Sequence, residues 1–274
     1  MIRRAAAVAV AVVSSSLVAC GGGAPLLHPA QTLASGDFRL VTGVAANVAA
    51  GALGEDLSRA RELAARDPAA STNPTTAPDH AKGALVAASI APGLSPVVGA
   101  RVGIGSGYEA GLAYTGRAVR LDARRAFTDG PWALSIGLGA SAALYGRQQG
   151  TPLPDVDLGS LKGYGADVPL LVGWESAGGL YTVYGGPRGG YEHASIETLT
   201  SEPRAVVLGG SALRLDVDRF HAGGVVGFAT GFRHVHVALE LGAAYQVASG
   251  SFAGTEATVR GLTLTPASAI WTTF

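Results

Sequence analysis

In WALSIGLGASAALY, residues 132–145, the large apolar side chains fall on every second residue. Trp132, Leu134, Ile136, Leu138 and Leu144 share one face of an extended chain, and Ser135, Gly137, Gly139 and Ser141 share the other. A period of two belongs to a strand, because the faces of a helix repeat every 3.6 residues. The pattern returns in YGADVPLLVGW, where Tyr164, Ala166, Val168, Leu170, Val172 and Trp174 oppose Asp167 and Gly173. It returns in RHVHVALELGAAY, where Val235, Val237, Leu239, Leu241 and Tyr245 oppose His234, His236 and Glu240. In FRLVTGVAANV, Phe38, Leu40, Val44 and Val48 oppose Arg39 and Asn47. Further strands are expected near 84–91, 97–105, 109–126, 180–192, 219–230 and 257–274. Within 109–126 the parity changes, from Leu112 and Tyr114 to Val119, Leu121 and Ala123. That stretch is either one strand bulged near Gly116 or a tight hairpin. The count is nine or ten strands, and ten is favoured.

Composition decides which face looks outward. Charged residues are 15% of the chain while hydrophobic residues are 48%; a typical soluble domain carries about 25% charge. Glycine contributes 40 of 274 residues, about twice its ordinary share. So little charge covers a water-facing shell poorly. Yet after residue 20 no apolar run is long enough for a spanning helix. Alternation with the apolar face toward lipid satisfies both facts. Short connections (128–131, 176–179, 230–234) alternate with long ones (50–82, 146–163, 194–216) along most of the chain. The expected fold is all-β: an up-and-down antiparallel transmembrane β-barrel of about ten strands (8–12 as bounds) over residues 37–274. Trp132, Trp174 and Tyr245 would sit in its interfacial girdles.

Inside such a barrel, charge must be paired. Arg39, Arg101, Arg120, Asp122, Arg124, Asp167, His234, His236 and Glu240 all face inward by parity and are expected to form a polar network in the lumen. A weak anion path is the functional version of that network. His234, His236 and Glu240 are also the one candidate catalytic set, a base with a carboxylate to orient it. GEDLSRARELAARDP, residues 54–68, reads as one short helix within the connection 50–82, with acids first and Pro68 as its stop. It is either a solvated loop helix or a lid or partner-docking element at the barrel mouth. A formal net charge of zero offers no field for nucleic acid. A single cysteine excludes an internal disulfide; no Cys/His zinc spacing is present, though a His pair at i, i+2 such as His234 and His236 could hold a metal. GIGSG (103–107) and GGPRGG (185–190) lack the Lys-Ser/Thr of a phosphate loop and open no helix.

The two ends of the chain carry resemblances. Arg3 and Arg4, then the apolar AAAVAVAVV (5–13), then Leu17, Val18, Ala19 and Cys20 resemble the signal peptide and lipobox of bacterial lipoproteins. The resemblance implies removal of residues 1–19 and covalent diacylglycerol on Cys20. An N-acyl lipid such as palmitate would join it, with no other cofactor. It also implies handling by the lipoprotein-sorting machinery. Gly21, where Asp would signal retention at the inner membrane, favours the outer membrane. Residues 20–36, rich in Gly, Pro and Ala, read as a lipidated flexible tether. At the other end, LTLTPASAIWTTF resembles the terminal strand of outer-membrane barrels through Phe274, Ile270, Leu264 and Leu262. Thr272 and Ser268 depart from that pattern, and Pro266 is expected to interrupt the strand. The resemblance implies recognition by the barrel-assembly machinery.

These readings converge on an outer-membrane β-barrel lipoprotein of the bacterial cell envelope. It would be lipid-anchored and embedded, partnered by membrane lipid, and would have a structural or loop-mediated binding role rather than an enzymatic one. The loop ligand is undefined. Two rivals stay open. One is a soluble lipid-tethered β-barrel carrying an apolar ligand. The other is a lipid-modifying outer-membrane hydrolase using the His234/His236/Glu240 face.

Overall fold

The computed structural model describes residues 25–67, 70–71, 73–145, 153, 156, 158–198 and 213–274. Ten antiparallel strands close into one barrel in which sequence neighbours pair and the first strand meets the last. They are β1 (Phe38–Ala49), β2 (Gly93–Gly105), β3 (Tyr108–Tyr114), β4 (Ala118–Asp129) and β5 (Trp132–Ala143), followed by β6 (Leu161–Glu175), β7 (Tyr181–Thr198), β8 (Leu213–Phe232), β9 (Val235–Phe252) and β10 (Thr255–Thr273). Closure is made by β1 against β10, from Arg39↔Thr273 to Ala49↔Thr263. Phe274 completes it through two backbone bonds with Phe38, 2.8 and 3.1 Å.

One rim, the turn rim, holds four short turns together with the start of β1 and the end of β10. The opposite loop rim holds the two-helix connection after β1, the strand ends at Ala143, Leu161, Thr198 and Leu213, and tight turns at 115–117 and 253–254. The stretch 109–126 resolves into the hairpin β3–β4, so the parity change is a turn and not a bulge. Pro266 does not interrupt its strand. It pairs with Leu241 of β9, and the loss is confined to the other side, where the β1 register skips from Ala45↔Ala267 to Val48↔Leu264. A missing N–H costs one side of the ladder and leaves the other intact.

Two expected elements are corrected. Residues 84–91 are not a strand but the end of a helix. The first long connection folds into two helices, α1 (Ala52–Arg66) and α2 (Ala77–Ser89). ALVAASI has no alternation, and its residues Ala84 to Ile90 are all buried; Pro78 in the first turn and the alanine content favour a helix. Nor is α1 a solvated loop helix. Leu53, Leu57 and Ala60 pack with Leu85, Val86 and Ile90 of the α2 region into the mouth at the loop rim, against Leu161, Ile196, Leu215, Phe252 and Val259 of the wall. Gly83 permits this approach, since a Cβ there would collide with that of Ala60. The lid reading of the helix is the one the structure supports. The ten strands survive because the lost strand at 84–91 is offset by the split at 115–117.

The outward face is apolar through the middle of the barrel. Val168, Leu170, Val172, Val226, Val237, Leu239, Leu241, Leu134, Ile136 and Leu138 are all exposed. Aromatic residues mark both edges of this band. Phe38, Tyr108, Phe127, Trp132, Tyr181, Phe232 and Phe274 ring the turn rim, and Tyr164, Tyr245 and Phe220 stand toward the loop rim. Ten residues separate Tyr164 from Trp174 and Tyr181 from Tyr191. At about 3.3 Å per residue and a tilt of about 40°, that is roughly 25 Å of height. Among the described outward residues within the band, Arg125 is the charged exception, and its guanidinium lies over the rings of Tyr108 and Phe127, 5.1 and 4.7 Å away. Toward the loop rim the wall turns polar: Tyr191 Oη donates to Asp218 Oδ1 (2.6 Å) beside His193, and Arg214 pairs with Asp216.

Candidate functional site

With lipid-type surface outside, the chemistry-bearing side chains gather in the lumen, on the inward residue of each strand pair. A chain of alternating charges crosses β4, β3, β2, β6 and β7. Arg124 of β4 clamps Glu109 of β3 through Nε and Nη2 at 3.0–3.1 Å. Glu109 also accepts from Arg101 of β2, which in turn reaches Asp122 of β4. Asp122 takes Arg120 Nη1. Arg120 then grips Asp167 of β6 with Nε and Nη2, 2.9 and 3.0 Å, and Arg188 of β7 donates to Asp167 at 3.0 Å. Glycine makes this density possible: a Cβ on Gly111 would stand 2.7 Å from Arg101 Nη1, and one on Gly139 2.5 Å from Asp167 Oδ1. Each carboxylate is shared between two guanidiniums, which offsets the desolvation of burying both signs.

A second group lies on β7–β10. Arg219, almost fully buried, pairs with Glu192 and donates to Gln246 Oε1 at 3.0 Å; Gln246 reaches Thr263. Arg117, 3.5 Å from Glu192, donates to the carbonyls of Ala88 (2.8 Å) and Ser89 (3.3 Å) at the end of α2. The helix lid is thereby tied to the wall through carbonyls that its last turn leaves unsatisfied.

The third group holds something unforeseen. Residues 25–36 were expected to be a slack tether, but Leu26, Leu27, His28, Pro29 and Ala30 are buried within the barrel. The segment enters from the turn rim. Glu240 accepts from the amides of Leu26 and Leu27, both at 2.7 Å, and from Tyr184 Oη at 2.8 Å. Arg124 donates to the carbonyls of Pro29 and Gln31, the latter at 2.8 Å. Glu109 accepts from the amide of Leu33 at 2.8 Å. The physical reason is the wall: buried carboxylates and a guanidinium with spare hydrogen-bonding capacity find partners in peptide backbone. Cys20 and the rest of the leader lie outside the described residues.

Arg101, Arg120, Asp122, Arg124 and Asp167 are thus brought together as expected. Arg39 is not part of that network; it lies over the Trp271 ring, 5.0 Å away, beside Thr273. His234 is exposed in the turn after β8, outside the lumen, because the outward register resumes only at Val235. His236 faces inward at the turn rim, 3.2 Å from the carbonyl of Gly179 and with its ring tilted against that of Trp271, 5.9 Å away. Glu240 is engaged by the N-terminal segment. The three therefore share no common partner, and they do not form the base-and-orienter arrangement for which they were candidates. Glu109, Arg117, Tyr184, Arg188, Glu192 and Arg219 are lumen residues the expected network omitted. With segment and helices seated, interior cavities of about 40 Å³ each lie, among the described residues, beside Arg120 and Glu192 and beside Pro25, His221 and Gln246. Each has room for a few waters.

No protein-family model and no curated protein sequence matches the chain. Among solved structures it is similar to Neisserial surface protein A, at 11% identity and a TM-score of 0.32, over 88% of this chain and 100% of that one. It is similar to OccK2 of Pseudomonas aeruginosa at 12% identity and a TM-score of 0.21, over 66% of this chain and 57% of that one. It is also similar to outer membrane phospholipase A of Escherichia coli, at 10% identity and a TM-score of 0.24, over 90% and 91%.

Proposed function

We propose that the chain is a transmembrane β-barrel of the bacterial outer membrane, lipidated on Cys20, whose role is structural or lies in binding through its loop rim. The observation that carries this reading is the outer wall. A band of exposed apolar side chains about 25 Å tall, edged by aromatics, matches the hydrocarbon layer met by such barrels. A soluble carrier would place those residues inside and the arginines outside. Here the inside is filled by ion pairs, the N-terminal segment and the helix lid, with about 40 Å³ in each interior cavity, far less than the several hundred Å³ that small-molecule pockets occupy. The turn rim, holding both ends of the barrel chain, would face the periplasm, and the lidded loop rim the exterior. A non-enzymatic role is favoured by the engagement of Glu240 with backbone amides and by the distance in register between it and His234. Interaction with the sorting and assembly machineries, from Cys20 and Phe274, belongs to the same proposal.

Fractionation of Cys20→Ala tests the reading. Embedded protein stays with the membrane after a carbonate wash, and its folded form migrates differently in gels before and after boiling. Release of Cys20→Ala as soluble protein overturns the reading in favour of a tethered carrier.

A further inference from the structure

The lumen wall holds residues 25–35 by groups that read peptide backbone. Glu240 takes two consecutive amides, Arg124 takes carbonyls from the next stretch, and Glu109 takes the amide of Leu33. A carboxylate, a guanidinium and a second carboxylate thus stand in a row along the path of a single chain. The two leucines at the inner end diverge to different walls. Leu27 packs with Val41, Val97 and Trp271, whereas Leu26 packs with Leu171, Tyr184 and Val225. The hydrogen bonds of the Glu240 carboxylate come from the two amides and Tyr184. Of these three donors only Tyr184 belongs to the wall, so without the segment the carboxylate would have to replace two close amide bonds with water. This wall is complementary to a peptide, not to a small solute.

The link between segment and barrel is thin. Ala34, Ser35 and Gly36 are exposed, and the chain joins the wall at Asp37, where Gly36 and Asp37 exchange backbone bonds with Gly103 at 2.9 and 3.0 Å. An occupant tethered so closely sits at an effective concentration of roughly millimolar. It stays seated even where its own affinity is moderate, and shuts out competitors only while the link is intact.

We propose that the lumen is a binding site for an uncharged peptide bearing two adjacent leucines, kinked where Leu27 takes a left-handed backbone (φ 51°), and that residues 25–35 are its resident and exchangeable occupant. The wall charges that meet the segment bind its backbone atoms, and the side-chain pockets for Leu26 and Leu27 are apolar. The site therefore accepts a main chain of this shape and rejects a charge at either leucine position. The proposal goes beyond the barrel's place in the membrane and does not depend on it.

The test keeps the full chain. A protease site is placed at the exposed Ser35–Gly36 junction, and the folded protein is purified in detergent and cleaved. Native mass spectrometry and fluorescence then follow the segment and a labelled synthetic peptide of residues 25–35. The expected result is that cleaved barrel exchanges its segment for the labelled peptide saturably, while uncleaved barrel takes up none. Peptides carrying Leu26→Asp, or methylated on the Leu27 amide nitrogen, should bind about tenfold more weakly or worse, since each removes one partner of a buried contact. All these changes are in the peptide, so folding of the barrel is not in question. Three results would overturn the proposal. The segment remains without exchange through repeated warming, the emptied barrel takes nothing back, or a scrambled peptide of the same composition binds equally well.

Discussion

At the loop rim, the α1–α2 lid is held chiefly by apolar contact; from the turn rim, residues 25–35 are held chiefly by hydrogen bonds to charged wall residues. Leu53, Leu85 and Ile90 of the lid continue the apolar core made by Leu161, Leu215 and Val259 of the strands. Their attraction is nondirectional and tolerates small shifts in packing. The N-terminal segment instead meets Glu240, Arg124 and Glu109 at particular amides and carbonyls. Such contacts demand register, and each orphaned group carries a large cost. One barrel therefore presents two inner surfaces, an oily mouth and a charged waist. Each selects a different kind of filling. Arg117 is the point where the two styles meet, since it pairs with Glu192 and also caps the lid's last carbonyls.

The contrast can be broken at several points. The largest effect is expected from Glu109→Ala, which strips Arg101, Arg124 and the Leu33 amide of their shared acceptor. Removing one partner of a buried ion pair costs about 3–5 kcal/mol, read as a lower urea midpoint for the transition from folded to unfolded gel mobility. Leu85→Ala should cost about 2–5 kcal/mol through the cavity it leaves. It should speed amide exchange in α1 and α2 while leaving Leu26 and Leu27 protected. Glu240→Gln should give the reverse: a loss of about 1–3 kcal/mol, faster exchange at Leu26 and Leu27, and an unchanged lid. Arg117→Lys should have the smallest effect, about 1 kcal/mol, because an ammonium keeps the charge but cannot span both carbonyls and Glu192. If Leu85→Ala and Glu240→Gln each loosened both fillings equally, the distinction between them would fail.

Much of this architecture can be read from alternation alone. Strands such as Trp132–Ala143 and Val235–Phe252 carry apolar residues on one face with few exceptions, so their register was legible along with the outward direction of that face. Arg120, Asp122 and Arg124 followed from the same parity. Glu109 was within reach too, because it is inward whenever Leu112 is outward. Arg188 and Arg219 were hidden by glycine and by the mixed polarity around them. The end of helix α2 reads as a strand because ALVAASI is apolar without period, which a buried strand and a buried helix satisfy equally. The N-terminal segment could not be read at all. Its contacts use its backbone amides and carbonyls, which every sequence possesses. The signal lay in the partners instead, in carboxylates and an arginine of the waist that exceed what their neighbours can satisfy. The catalytic reading of His234, His236 and Glu240 failed for a related reason: parity puts residues on one side, while the ends of strands decide whether that side is still wall.

The central claim is that the face bearing Val237, Leu239, Leu241 and Ala243 touches lipid and the opposite face does not. Single cysteines placed at each position from Val235 to Gln246 in the Cys20→Ala protein, spin-labelled in bilayers, measure this directly. Oxygen dissolved in the lipid should collide most with labels at 237, 239, 241 and 243, and least with those at 238, 240, 242 and 244, in a period of two. Labels at the first set that are instead reached by a water-soluble nickel complex, with no period in oxygen contact, would contradict the embedded barrel.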